Sequence, residues 1–474
     1  MENHKVIEIF RSFDKSTCRK FSHFLKADFP RHPPKIVTLG EYLISYYPDF
    51  KHENLTEEGA FKAMGLEGEF SKHELTRYLS KLLSAIEEFI AINTLLESNY
   101  LKGSLIAEYY YQNRNHAGFS KFSKLNTKEL EASSVVDDKN YFYSYLNKKL
   151  RFNYAAHQRH HEEAHQYLGE AVVSLDNYYL IQVLQAAIAF NAQPGGTENE
   201  KEIPFLTMVL EFIASHPDYL SPLVSLSHLT YKLVKDKSSP EIYTKLKMAL
   251  LRHIRVIPST DAYTMTVILN NALGKQLSEG RKRYLEERFD TYKLEIEEGW
   301  ISSMGIIGYP KFNNVVTVAL SLGKIAYAEH FIQAYEAYLI PDIKDDIVNL
   351  NRARVEFANG AYASCLSLVN QSKYIDASVT LTLKRLQVMC FYEMGDDDQF
   401  SHRLNAMKTY LYRLEGAEVQ KLKTRNLLFA KIATLLGKGP VVSSQIQEEI
   451  LGLIEEAPFL PELEWIESKL EKGS

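Results

Sequence analysis

The sequence predicts an all-α fold: a helical domain over residues 1–98, then a helical-repeat solenoid over 99–474. Three observations predict it. Apolar residues recur at spacings of three and four, and no stretch alternates with the period of two that marks a strand. No proline lies between Asp49 and Gln193, which permits long helices, because proline inside a helix costs about 3 kcal/mol. Gly323, Gly360 and Gly395 recur at intervals of 37 and 35 residues, each between two apolar runs of helical length. That is a helix–turn–helix unit in series. One such hairpin cannot bury its apolar face alone, so neighbours stack and share a core.

In chain order, Val6–Phe13 reads as a short helix. Asp14 caps the next, which carries Phe21, Phe24 and Leu25. Pro30–Pro34 breaks the pattern, and Ile36–Tyr47 forms a helix that Pro48 stops. Thr56 opens a short helix through Phe61 and Met64. Ser71 starts the longest stripe, in which Leu75, Leu79, Leu82, Ile86, Phe89, Ile90 and Leu96 share one face. From Asn99 to Asp137 the periodicity weakens. Tyr109, Tyr110 and Tyr111 are expected to be buried on a short helix, and Asn126 to Glu129 to cap another.

Hairpins resume at 138–152 with 155–174, 176–190 with 204–215, 221–234 with 239–256, and 261–277 with 280–297. Ser221-Pro222 and Ser239-Pro240 are helix starts, serine as cap and proline as first helical residue. Pro194 to Glu200 reads as an exposed loop. Three glycine-marked hairpins fill 313–412. Three helices at 418–436, 443–456 and 461–472 are expected to close the solenoid as a polar-faced cap.

Two resemblances attach to these residues. The 35- to 37-residue spacing is near the roughly 34-residue period of tetratricopeptide repeats. In the second hairpin Ala353, Gly360, Tyr362 and Cys365 stand where such a repeat resembles small, Gly, aromatic and Ala. In the first, Gly323 and Ala328 fit while Val316 and Ile325 depart. In the third, Gly395 fits while Asp397 and Phe400 depart. Separately, Cys18 to Phe29, Tyr46 to Phe50, Leu55-Thr56 and Arg77 to Leu83 resemble landmarks of a group of uncharacterised bacterial helical proteins. Ala27-Asp28 replaces that group's small-then-proline step. The resemblance implies an all-helical N-terminal domain followed by tetratricopeptide-like repeats, and it implies no activity.

Composition narrows the function. With 45% hydrophobic and 24% charged residues the chain is of ordinary globular type. A net charge of −5 argues against a nucleic-acid partner. Arg281-Lys282-Arg283 is followed by Glu286 and Glu287, as on a solvated helix face. Cys18, Cys365 and Cys390 match no metal spacing and suit reduced thiols in the cytoplasm. The start of the chain has no apolar core of a signal peptide. The most apolar window, Tyr178–Phe190, is too short to span a bilayer. No membrane association is expected.

The sharpest motif is His161-Glu162-Glu163-Ala164-His165, two histidines four apart with a glutamate between, as in zinc hydrolases. Glu163 breaks the apolar character of such helices, Leu168 stands where a metzincin has glycine, and no third ligand is evident. A solvated helix surface is the simpler reading, and a zinc hydrolase the alternative. Gly437-Lys438-Gly439 lacks the spacing of a phosphate loop. Cys18 and His23 point apart on a helix.

The favoured function is a non-catalytic scaffold that binds a protein or peptide, with no cofactor. The first helix of each hairpin lines one face of such a stack. By register, Asn313, Asn314, Asn351, Arg354 and Arg385 project there, and Asn and Arg suit the backbone and carboxylates of a peptide. The sequence does not set the partner's identity or the oligomeric state.

Overall fold

A computed structural model describes residues 4–27, 31–66, 69–133, 135–192, 203–278, 283–302, 305–372, 376–416, 419–437, 443–456 and 460–471. Among them the regular structure is helical and no strand occurs. No helix among the described residues is long and apolar enough to cross a membrane. The chain divides into two compact units, 1–133 with 143–172, and 134–142 with 173–474. The division does not fall at residue 98.

In the first unit, α1 (Lys5–Ser12), α2 (Lys15–Leu25), α3 (Pro34–Ile44) and α4 (Glu57–Ala63) all pack on α5 (Lys72–Glu97). The caps follow the sequence. Asp14 accepts from Thr17 N at 2.6 Å, Thr56 from Gly59 N at 2.9 Å and Ser71 from Glu74 N at 3.3 Å. Each satisfies an amide that the first turn leaves open. Leu75, Leu79, Leu82, Ile86 and Phe89 are buried as expected, whereas Ile90 and Leu96 are exposed. Phe10, Phe21 and Phe89 join in an aromatic cluster at centroid distances of 5.2–5.6 Å.

Residues 99–137, where periodicity weakens, form two long helices, α6 (Asn99–Gln112) and α7 (His116–Ala132). Two expectations fail here. Tyr109 is 61% exposed, and Tyr110 and Tyr111 are only half-buried. Asn126 caps nothing, since it lies in mid-helix, buried against Gly103 of α6. The two helices meet through Gly103 against the Asn126 amide and through the ring pairs Tyr110–Phe122 and Tyr111–Phe119, a mixed seam whose glycine and amide interrupt the apolar periodicity.

The helices α8 (Asp138–His157) and α9 (His161–Ala192) contribute residues to both units. One 32-residue helix replaces the break expected at residue 175. No proline or glycine stands between Gly169 and Pro194 to make one. The expected loop at 194–200 lies outside the described residues.

The second unit continues with α10 (Leu206–Ser215), α11 (Pro222–Lys235), α12 (Pro240–His253), α13 (Ser259–Ser278) and α14 (Tyr284–Glu297). Ser221 and Ser239 cap α11 and α12 by bonds of 3.3 Å to Val224 N and Ile242 N. Then come α15 (Tyr309–Ser321), α16 (Ile325–Tyr335), α17 (Pro341–Ala358), α18 (Tyr362–Gln371), α19 (Ala377–Met394) and α20 (Asp397–Arg413). Gly323, Gly360 and Gly395 take φ of 68°, 76° and 68° at the three turns between paired helices. That left-handed backbone is the one glycine adopts without strain. The helix α15 packs on α16 and α17, α17 on α18 and α19, and α19 on α20. The last helices are α21 (Gln420–Leu436), α22 (Ser444–Glu456) and α23 (Leu463–Glu471). Cys365 and Cys390 are buried in the apolar core of 289–390, as small hydrophobes would be.

Candidate peptide-recognition face

Three of the five residues singled out by register, Asn313, Asn351 and Arg354, meet in one hydrogen-bonded array across α15 and α17, and a fourth, Arg385 on α19, heads a second array of its own. Asn351 is fully buried and donates through Nδ2 to Asn313 Oδ1 at 2.6 Å and to Ile347 O, one turn back, at 2.8 Å. Arg354, half-buried, donates from Nη1 to Thr317 Oγ1 at 2.9 Å. Arg385 is buried and donates from Nη1 to Asn426 Oδ1 at 2.8 Å and from Nη2 to Thr382 Oγ1 at 3.1 Å. Asn426, on α21, repeats the device of Asn351, with Nδ2 donating to Leu422 O one turn back at 2.8 Å. Asn314 is exposed and belongs to the rim.

The Arg385 array is not an open face. Arg385 Nε donates to Glu462 Oε1 at 3.0 Å, so the residues leading into α23 lie on it. Ser321 Oγ, on α15, donates to Glu464 Oε2 at 3.2 Å. Trp465 Nε1 donates to Glu393 Oε1, on α19, at 2.6 Å, and Lys469 pairs with the same carboxylate. The indole packs edge-on to Tyr392 at 5.4 Å and against Phe429 at 6.1 Å. Trp465, Ile466 and Leu470 are buried. The last helix, expected as a polar-faced cap, sets its apolar side with Glu464 and Lys469 against helices far earlier in the chain.

The electrostatics follow from this enclosure. Burial pulls the Arg354 guanidinium down to about 10. Glu462 counteracts that, and Arg385, a second cation, adds to it. Sequence reasoning missed Thr317, Thr382, Asn426 and Glu462. Asn426 carried a signal, since it stands 75 residues after Asn351, close to two repeat lengths. Glu462 carried none, because nothing local in Pro461-Glu462-Leu463 announces a cationic partner 77 residues away.

The histidine motif lies at the start of α9. His161, Glu162, Glu163 and His165 are all exposed, and Glu163 pairs with His160 at 3.5 Å. His157 is engaged with the Tyr111 hydroxyl at 3.0 Å. No group of three or more His, Cys, Asp or Glu among the described residues is placed to hold a metal. The chemistry available here is that of a solvated first turn. Of Gly437-Lys438-Gly439, only Gly437 lies within the described residues. The same holds for Arg283 of the 281–283 run.

No family model, curated protein or solved structure matches the chain.

Proposed function

We propose that residues 313–412 are a tetratricopeptide-like part of a helical-repeat solenoid, and that the chain is a non-catalytic cytoplasmic scaffold binding a protein or peptide on the face of α15, α17 and α19. The repeat reading rests on the three left-handed glycines and on the packing of each first helix against the next. One observation carries the function. The Arg354–Arg385 surface receives a carboxylate, Glu462, from a segment that reaches it from outside the paired helices. Arginine gives the planar donor array that such recognition uses. Asn313 and Asn351 hold each other, so they frame the surface, and the contacts come from Arg354 and Arg385.

Affinity capture from a lysate of the protein's own source tests this, with the full-length chain and its Arg354→Gln variant side by side and a thermal melt to match their folding. A partner recovered by the first and lost from the second supports the face. A partner recovered equally by both overturns it, as does recovery of none.

A further inference from the structure

Resting on that reading, we infer that residues 460–471 are a resident ligand of the recognition face, and that the partner which replaces them presents the same chemistry: a peptide with a glutamate three residues before a tryptophan and further acidic residues around it.

The segment is anchored as a peptide ligand is. A large aromatic, Trp465, sits in an apolar site with Tyr392 and Phe429, and its one polar atom is satisfied by Glu393. Carboxylates flank it, Glu462 on Arg385 and Glu464 on Ser321. A buried aromatic with charged residues around it is the usual anatomy of a binding hot spot. The contacts reach back to α15, 143 residues earlier in the chain. A helix that only closed the end of the stack would touch the preceding helices alone.

Two features show that the resident segment is an imperfect occupant. Glu462 has φ of 58°, a left-handed backbone that strains a non-glycine residue. A separate peptide need not adopt it. Arg354 is the second feature. Among the described residues no carboxylate reaches it within ion-pair distance, and its donors go to neutral oxygens. Glu462 is felt there only through space. A partner with a second carboxylate beside the first would engage both arginines, where the resident segment engages one. Affinity for the partner is then lowered by the fraction of time the segment is seated.

The test uses the full chain and a fluorescein-labelled peptide with the sequence of residues 460–471, followed by anisotropy. In Glu462→Gln the resident segment loses its charge-assisted bond, while the added peptide keeps it. The variant is expected to bind the peptide about tenfold more tightly than the unmodified chain, the worth of one such bond. Amide exchange over 460–471 of the chain should quicken as the peptide enters. A control peptide with both leading glutamates changed to glutamine should bind at least about tenfold more weakly. Adding Arg385→Gln to the variant should abolish uptake.

Equal binding by the variant and the unmodified chain overturns the inference. So does equal binding of the control peptide, or uptake that does not displace the resident segment. A concentration-dependent dimer of Glu462→Gln in place of peptide uptake would make a second copy the occupant and overturn the partner assignment. None of these results touches the capture experiment with Arg354→Gln, so the two readings fail separately.

Discussion

Arg385 and Glu462 form an ion pair at 3.0 Å, and the two side chains are unequally enclosed, 9% exposed for the arginine and 27% for the glutamate. The partners each side chain holds, rather than its exposure, set what each substitution costs. Replacing Arg385 by methionine strips Asn426 Oδ1, on a fully buried residue, of its Arg385 donor and leaves Glu462 without its cation. Breaking a buried pair from that side costs about 3 kcal/mol or more. Glu462→Gln keeps an acceptor for Arg385 and costs about 1 kcal/mol. Urea unfolding followed by far-ultraviolet circular dichroism separates the two. Equal losses would show that the pair is as solvent-screened as a surface bridge.

Asp261, on α13, is half-buried, and its Oδ1 accepts from Gln185 Nε2 at 3.1 Å. Burial raises its pKa from 3.8 to about 6, Asp138 and Asp137 add repulsion, and the Gln185 bond opposes them. The folded chain therefore favours the protonated acid. Its contribution to stability is fully present below pH 3.8 and is lost as pH rises through about 6. Asp261→Asn should stabilise the protein at about pH 7.5 by roughly 1–2 kcal/mol, allowing for solvent screening of a partly exposed group. Near pH 3.5 the two proteins should be equally stable, to about 0.5 kcal/mol. A gain of the same size at both values would trace the effect to packing.

Gly103 and Gly360 are glycines for different reasons. A Cβ on Gly103 meets the carboxamide oxygen of buried Asn126, whereas one on Gly360 meets nothing within 4 Å. Gly360 is constrained by its φ of 76° alone. Alanine at Gly360 should cost about 1 kcal/mol in backbone strain. Alanine at Gly103 must displace the buried Asn126 carboxamide or part α6 from α7, and should cost about 2–3 kcal/mol. Thermal melts of the two variants rank them, and the reverse order would mean that the α6–α7 approach relaxes freely.

These glycines also show what the sequence could and could not reveal. Gly360 was legible because a left-handed turn leaves a glycine at a fixed place between two periodic runs. So were Ser221-Pro222 and Ser239-Pro240, whose cap chemistry is local. Gly103 was not, because its role depends on Asn126, which comes from the next helix and looks polar in isolation. The candidate site divides in the same way. Asn351, Arg354 and Arg385 fall out of the repeat register, which fixes a helix face. The ion pair of Arg385 does not, because it depends on Glu462, 77 residues further on, which no periodicity links to it. The unbroken α9 was missed for the opposite reason. A break was expected where the chain holds neither glycine nor proline to make one.

Glu295 and Lys311, on successive helices, form a more enclosed pair than Arg385 and Glu462. Glu295, on α14, is fully enclosed, and its carboxylate lies 2.7 Å from Lys311 Nζ, on α15, whose side chain is 12% exposed. Asn270 Nδ2 donates to the other oxygen at 2.8 Å. Burial pushes the carboxyl up and the ammonium down, and in each case the partner opposes the shift. Each charge is therefore tolerated only beside the other. Lys311→Met strands a carboxylate with only the neutral side chains of Asn270 and Thr266 to hold it and should cost about 3–5 kcal/mol. Adding Glu295→Gln removes the stranded charge while keeping an acceptor for Asn270, so the double variant should recover about 2 kcal/mol or more of that loss. Urea midpoints of the single and double variants decide it. A double variant no more stable than Lys311→Met would mean that the lysine acts by filling space over the Tyr263 ring, 4.1 Å from its ammonium, and that its charge is incidental.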